Sequence, residues 1–164
     1  MRLSIFAALL GLMLLPAAAQ AEKNEIPFRE DSGLTKAEFL FTVGQYTAAL
    51  DTVNDVLLRH PSNADAYTYR GYAYARLGET ESAAKNFRKA LEINPTHLGA
   101  NKYLADIYLE EGDMSRALEQ LQVIRMTCGN ADCEELRALK RAIDLYKRGE
   151  APANGAKKDK KQEE

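Results

Sequence analysis

Small and apolar residues return along this chain at a fixed interval of 34 positions. Gly44, Gly78 and Gly112 keep it, as do Ala49, Ala83 and Ala117, and Ala37, Gly71 and Ala105. Larger apolar positions follow in step: Leu40, Tyr74 and Tyr108; Val53, Phe87 and Leu121; Val56, Ala90 and Ile124. Pro61 and Pro95 close two of the units, and Gly129 stands at the corresponding place in the third. One interval held through three units predicts a stacked array, in which no unit buries its own apolar face and each needs a neighbour to complete the core.

Within Ala64–Pro95 the unit itself can be read. Tyr67, Arg70, Gly71 and Tyr74 sit at helical spacing, Gly78 interrupts, and Ala83, Phe87 and Ala90 mark a second helical face that ends at Pro95. The unit is therefore a helix, a turn and a helix. Gly71 and Ala83 let the two helices approach closely, with the ring of Tyr74 or Phe87 in the space beside them. This order of residues resembles the tetratricopeptide repeat: Tyr67, Gly71, Tyr74, Ala83, Phe87, Ala90 and Pro95 match its pattern, and Arg70 stands where the family has leucine. The first unit, 30–63, has Gly33 and Lys36 at the aromatic and leucine positions but keeps Ala37, Leu40, Gly44, Ala49, Val53, Val56 and Pro61. The third, 98–131, keeps Leu104, Ala105, Tyr108, Gly112, Ala117, Leu121 and Ile124, with Asn101 at the aromatic position.

Helix starts are expected where an oxygen-bearing side chain precedes each helical face: Ser62 or Asn63 before Ala64, Thr80 before Glu81, Thr96 before His97 and Asp113 before Met114. Asp132 with Glu135 reads as a capping box that opens a further helix. Leu136, Leu139, Ile143 and Tyr146 form its single stripe, with Gly149 as the stop. The expected architecture is all-α: a superhelix of three helix-turn-helix repeats at 30–63, 64–97 and 98–131, with a capping helix at 132–148 over the last of them.

The ends speak to location. Met1 and Arg2, the apolar run Leu3–Leu15, Pro16 and then Ala19, Gln20 and Ala21 have the order of an export signal, expected to be cleaved after Ala21. The run falls short of the roughly 20 residues of a bilayer-spanning helix, so no stable span is expected after cleavage. Residues 22–29 form a lead-in in which Ile26, Pro27 and Phe28 could fold back on the first helix. Residues 149–164 hold Pro152, four lysines and four acids with nothing apolar larger than alanine, the composition of a solvated tail. One arginine and no acid leave with the signal, taking the formal net charge from −2 to −3, which recruits no nucleic acid. A periplasmic or secreted setting follows. In it Cys128 and Cys133, at the corner before the capping helix, are expected to form a disulfide. The alternative is thiol or metal chemistry, since Cys133 lies in the first turn of a helix.

Catalytic patterns are missing from the repeats: no glycine-rich phosphate loop, nucleophile elbow or histidine pair at metal spacing occurs, and His60 and His97 stand singly. No enzyme, cofactor or metal is expected. What the family resemblance implies instead is a binding surface, since in that family the first helix of each repeat lines an inner groove that holds peptides. The matching positions are Leu34, Thr35, Glu38 and Phe41; Asp65, Thr68, Tyr69, Tyr72 and Arg76; and Lys102, Tyr103, Asp106, Leu109 and Glu110. Leu34 and Glu38 stand where the family's carboxylate clamp has its first lysine and asparagine, so capture of a terminal carboxylate is not implied. With acids outnumbering bases, and with three tyrosines and a phenylalanine not needed between helices, the expected partner is an apolar or aromatic segment of another envelope protein carrying some positive charge. The expected function is that of a non-catalytic periplasmic adaptor or assembly factor. Two other classes stand beside it: a thiol-redox or metal-responsive envelope protein using Cys128 and Cys133, and a self-associating structural protein that forms homo-oligomers.

Overall fold

The computed structural model describes residues 32–131 and 133–150. The export signal, the lead-in, Asp132 and the tail beyond Glu150 lie outside the described residues. Among those described are seven helices and no strand: α1 Ser32–Thr42, α2 Tyr46–Arg59, α3 Ala64–Arg76, α4 Thr80–Ile93, α5 Leu98–Glu110, α6 Met114–Cys128 and α7 Glu134–Lys147. The 34-residue interval fixes their ends. The second helices begin at Tyr46, Thr80 and Met114, and the first helices end at Thr42, Arg76 and Glu110.

The turn inside each hairpin is the same in all three. Gly44, Gly78 and Gly112 adopt φ of +73°, +82° and +82°, a region that only glycine enters without strain. The residue after each glycine sends its N–H back to a carbonyl five positions earlier: Gln45 to Leu40 at 2.9 Å, Glu79 to Tyr74 at 2.9 Å and Asp113 to Tyr108 at 2.7 Å. This is a Schellman stop, which satisfies carbonyls that the helix end would leave unpaired.

Helix starts follow the sequence at two places and depart from it at three. Asn63 Oδ1 accepts from the Ala66 N–H at 2.9 Å, and Asp113 Oδ1 accepts from the Arg116 N–H at 3.0 Å. Thr80, expected to cap α4, is its first helical residue. The Schellman turn uses Gly78 and Glu79, which leaves Glu79 at the cap. Thr96, expected to cap α5, gives its hydroxyl and its N–H to Asn94 Oδ1, both at 3.1 Å, and His97 caps instead, with Nδ1 accepting from the Ala100 N–H at 3.1 Å. At α7 the cap position is Cys133, whose sulfur is bonded to Cys128 and makes no capping hydrogen bond.

Close helix packing centres on Phe87, fully buried in α4. A Cβ at Gly71 would lie 2.6 Å from its ring, so the bare Cα of α3 is what admits the ring. Ala83, Ala105, Ala117 and Ile124 are likewise closed to solvent, in a core that runs from α4 through α7. A second cluster joins Ala37, Val53, Val56 and Leu57 of the first hairpin to Ala66 of α3. Position for position, Phe39 of α1 corresponds to Ala73 and Ile107, which are 0% and 4% exposed beneath the preceding hairpin. Phe39 has no preceding hairpin among the described residues and is 63% exposed.

At the other end α7 closes the stack. Leu136, Leu139, Ala142 and Ile143 are buried against α5 and α6, and the Cys128–Cys133 disulfide joins the end of α6 to the start of α7 across a Cα separation of 6.1 Å. A loop this short constrains the unfolded chain by about 2 kcal/mol in the chain-entropy model.

Two outcomes are expected from urea unfolding. Gly71→Ala should lower stability by about 1–2 kcal/mol, because the clash with a ring that cannot move outweighs the gain in helix propensity. Replacing both Cys128 and Cys133 by serine should remove about 2 kcal/mol, with the amides of α7 the first to lose protection from hydrogen exchange.

Candidate functional site

The first helices α1, α3 and α5 lie side by side and bring Phe41, Tyr69, Tyr72 and Tyr103 into one run of rings. Phe41 meets Tyr69 edge-on at 5.7 Å between centroids and Tyr72 edge-on at 4.9 Å. Tyr72 meets Tyr103 at 5.3 Å, and Tyr103 stacks on Phe87 at 5.4 Å with the planes 19° apart. Phe41, Tyr72 and Tyr103 stand 31 apart in sequence and are neighbours here because each hairpin packs onto the next. Such edge-on and stacked pairs contribute beyond the area they bury.

Not all of these rings stand clear of the core. The sequence treats Tyr103 as unneeded for packing, whereas its contact with Phe87 makes it part of the joint between α4 and α5. Burial is the main reason its phenol is pushed up to about 12, with Tyr72, Asp106, Glu134 and Glu135 adding to the shift. Tyr69 is raised further, again first by burial, then by its hydrogen bond to the Glu38 carboxylate and by the charges of Glu38 and Asp65. Both phenols therefore stay protonated through the physiological range, and Tyr69 donates to Glu38.

The charged residues expected in the groove are mostly engaged. Lys102 Nζ lies 2.7 Å from Asp106 Oδ2 and 4.4 Å above the Tyr103 ring, and both charged side chains are only 12% exposed. Arg76 turns onto α2, its guanidinium 4.8 Å from the centroid of Tyr46. Asp65 accepts from His97 Nε2 at 2.8 Å, which ties the start of α3 to the start of α5. Since His97 Nδ1 accepts from the Ala100 N–H, the ring carries its proton on Nε2. Glu38 and Glu110 are exposed, Leu34 is half-buried against the first cluster, and Thr68 is buried with its hydroxyl donating to the Ala64 carbonyl at 2.9 Å.

Beside Thr68, two further groove positions are corrected by the structure. Asp106 is 9% and Leu109 2% exposed, so neither offers a surface to a partner. Asp106 is paired with Lys102, and Leu109 joins the cluster of Leu136, Leu139, Ala142 and Ile143 of α7, which packs along α5 more closely than α3 packs along α1 or α5 along α3. Sequence reasoning missed that the same helix brings Glu134 and Glu135 close enough to act on Tyr103. It also missed His97, since a capping imidazole is not among the usual capping oxygens; its place directly before Leu98 was the available signal. What remains open is an aromatic strip flanked by acids. No group of three or more His, Cys, Asp or Glu among the described residues could hold a metal ion, and no helix among them is long and apolar enough to cross a membrane.

Residues 64–97 match the family model for the tetratricopeptide repeat. The tetratricopeptide repeat and J domain-containing co-chaperone DNJ1 of Cryptococcus neoformans is 27% identical over 155 residues, covering 90% of this chain and 27% of that protein. The protein of the same name in Fusarium oxysporum is 31% identical over 112 residues, covering 68% of this chain and 22% of that protein. The chain thus spans about a quarter of the length of these relatives, and both relatives are fungal. Among solved structures, the tetratricopeptide-repeat domain of Sgt2 from Aspergillus fumigatus superposes with a TM-score of 0.60 at 23% identity, covering 78% of this chain and 88% of that one. The type III secretion translocator chaperone SycD of Yersinia enterocolitica superposes with a TM-score of 0.63 at 12% identity, covering 72% and 83%. With one repeat matched directly and its neighbours repeating the same hairpin in register, this chain is a superhelix of tetratricopeptide repeats.

Proposed function

We propose that this chain is a non-catalytic adaptor or assembly factor that holds a segment of another protein on its inner face. The observation that carries the reading is the run of Phe41, Tyr69, Tyr72 and Tyr103 across three repeats, bordered by Glu38 and Asp65 while Lys102 and Arg76 are turned to intramolecular partners. Aromatic rings give large contact area at little cost in side-chain entropy, and the acids favour a segment with lysine or arginine beside its apolar residues. The co-chaperone relatives, and an Hsp70-Hsp90 organizing protein of Glycine max that is 26% identical over 105 residues, lend support to a role built on protein contacts. We place the module outside the cytoplasm, in the periplasm or secreted, which the order of residues Met1–Ala21 and the Cys128–Cys133 bond favour.

A second reading, self-association, is favoured by one observation: Phe39 of α1 and Val43, in the turn just after it, are 63% and 50% exposed. Sedimentation across a concentration series distinguishes it. A monomer throughout would discard this reading, and a dimer dispersed by Phe39→Glu would establish it.

The leading reading is tested on an array of short peptides, probed with the purified full chain. Retained peptides are expected to pair apolar or aromatic side chains with lysine or arginine. Tyr72→Ala should weaken them by roughly tenfold or more, the scale of a lost aromatic anchor, with little change in helicity. Peptides held equally well by the Tyr72→Ala variant would place binding elsewhere.

A further inference from the structure

The middle repeat carries a second surface, of opposite charge and unlike its counterparts in the other two. On α3 the groove residues Asp65, Tyr69, Tyr72 and Arg76 share one stripe, and Tyr67, Arg70 and Tyr74 lie on nearly the opposite side of the helix. There they border a cleft of about 580 Å³ together with Lys85, Asn86 and Lys89 of α4. Arg70 occupies the position at which the third repeat has Leu104, 3% exposed in the core. A guanidinium is stable at such a place only when its donors are met. Asn86 Oδ1 accepts from its Nε at 2.6 Å and Asn54 Oδ1 from its Nη1 at 3.4 Å, and the cation lies 4.9 Å from the centroid of Tyr67. Asn86, 7% exposed, is in turn fixed by donating to the Ser82 carbonyl at 2.8 Å. Arg70 is thereby held in the wall of the cleft rather than extended into water.

The other repeats serve as internal controls. Arg70, Lys85 and Lys89 correspond in register to Lys36, Asp51 and Asp55 in the first unit and to Leu104, Glu119 and Val123 in the third. The middle unit alone sets three bases around this cleft, against the single acid Glu92, which pairs with Lys89 at 2.8 Å. In a chain whose net charge is −2, that is a local reversal of sign. The geometry points to a binding site for a ligand carrying clustered anionic oxygens, seated by Lys85 and Lys89 in the field of the fixed Arg70, with the rings of Tyr67 and Tyr74 as side walls. Its volume lies in the range of small-ligand clefts, and charge-assisted hydrogen bonds supply the affinity. Phosphoryl groups and the carboxylates of an acidic peptide share this chemistry.

Both sources can be tried on the full chain by following its amide resonances during titration with inorganic phosphate and, separately, with a hexaglutamate peptide. One or both probes should shift amides of α3 and α4 around Tyr67, Arg70 and Lys89, and the probe that does so identifies the source. The double reversal Lys85→Glu, Lys89→Glu should weaken binding by roughly tenfold or more, since it places like charges on the ligand. Arg70→Leu, which restores the residue of the third repeat, should weaken it as well, with a lower thermal midpoint because the buried Asn86 Oδ1 loses its donor. Failure of both probes to shift these amides, shifts confined to other helices, or binding indifferent to the double reversal would overturn the assignment.

Discussion

The ring of Phe87 is the contact on which both the packing and the surface of this molecule depend. It lies against the bare Cα of Gly71 within its own hairpin and stacks on Tyr103 of the next, and Tyr103 touches Tyr72, which touches Phe41. A single buried side chain thus sets the separation of α3 and α4, positions α5 against them, and anchors the aromatic run on the inner face. This is the general economy of a solenoid made concrete: a hairpin too small to enclose a core is completed by its neighbour. The cost falls at the ends. α1 keeps Phe39 exposed because nothing described precedes it, and α6 is covered by an added helix that is fastened covalently as well as by apolar contact.

Most of the fold was legible because its determinants are local and repeated. A glycine forced to positive φ cannot be replaced cheaply, so it returns wherever the hairpin turns, and a small residue facing Phe87 or its equivalents returns for the same reason. Caps at Asn63 and Asp113 were legible on the same ground. At Thr80 and Thr96 the reading went astray by one residue. Competition for the hydroxyl of Thr96 by Asn94, and the demands of the Schellman turn before Thr80, depend on backbone geometry that residue types alone do not specify.

The surface was less legible than the fold. Family positions located the inner face, but they could not show how α7 leans on α5, because α7 begins at Glu134 and falls outside the repeat interval. Asp106 and Leu109 are buried, so the expected groove is less open at its third-repeat end. Charge counts were also incomplete as a guide. Lys102 and Arg76 count as groove cations in the sequence, yet one is paired with Asp106 and the other lies over Tyr46, just as Asp65 is bonded to His97 and Glu38 to Tyr69. Conversely, Arg70 read only as a departure from the repeat pattern until Asn54 and Asn86 were found to hold it.

Two surfaces of contrasting chemistry therefore share one short stack: an aromatic and acidic face along the first helices, and a basic cleft on the far side of α3. The central claim is that partner segments lie on the first of these. Hydrogen exchange of the full chain, with and without a peptide selected for binding, tests it most directly. New protection should appear along α1, α3 and the first half of α5, where the rings of Phe41, Tyr69, Tyr72 and Tyr103 lie. Protection confined to α2, α4 and α6 would contradict the account.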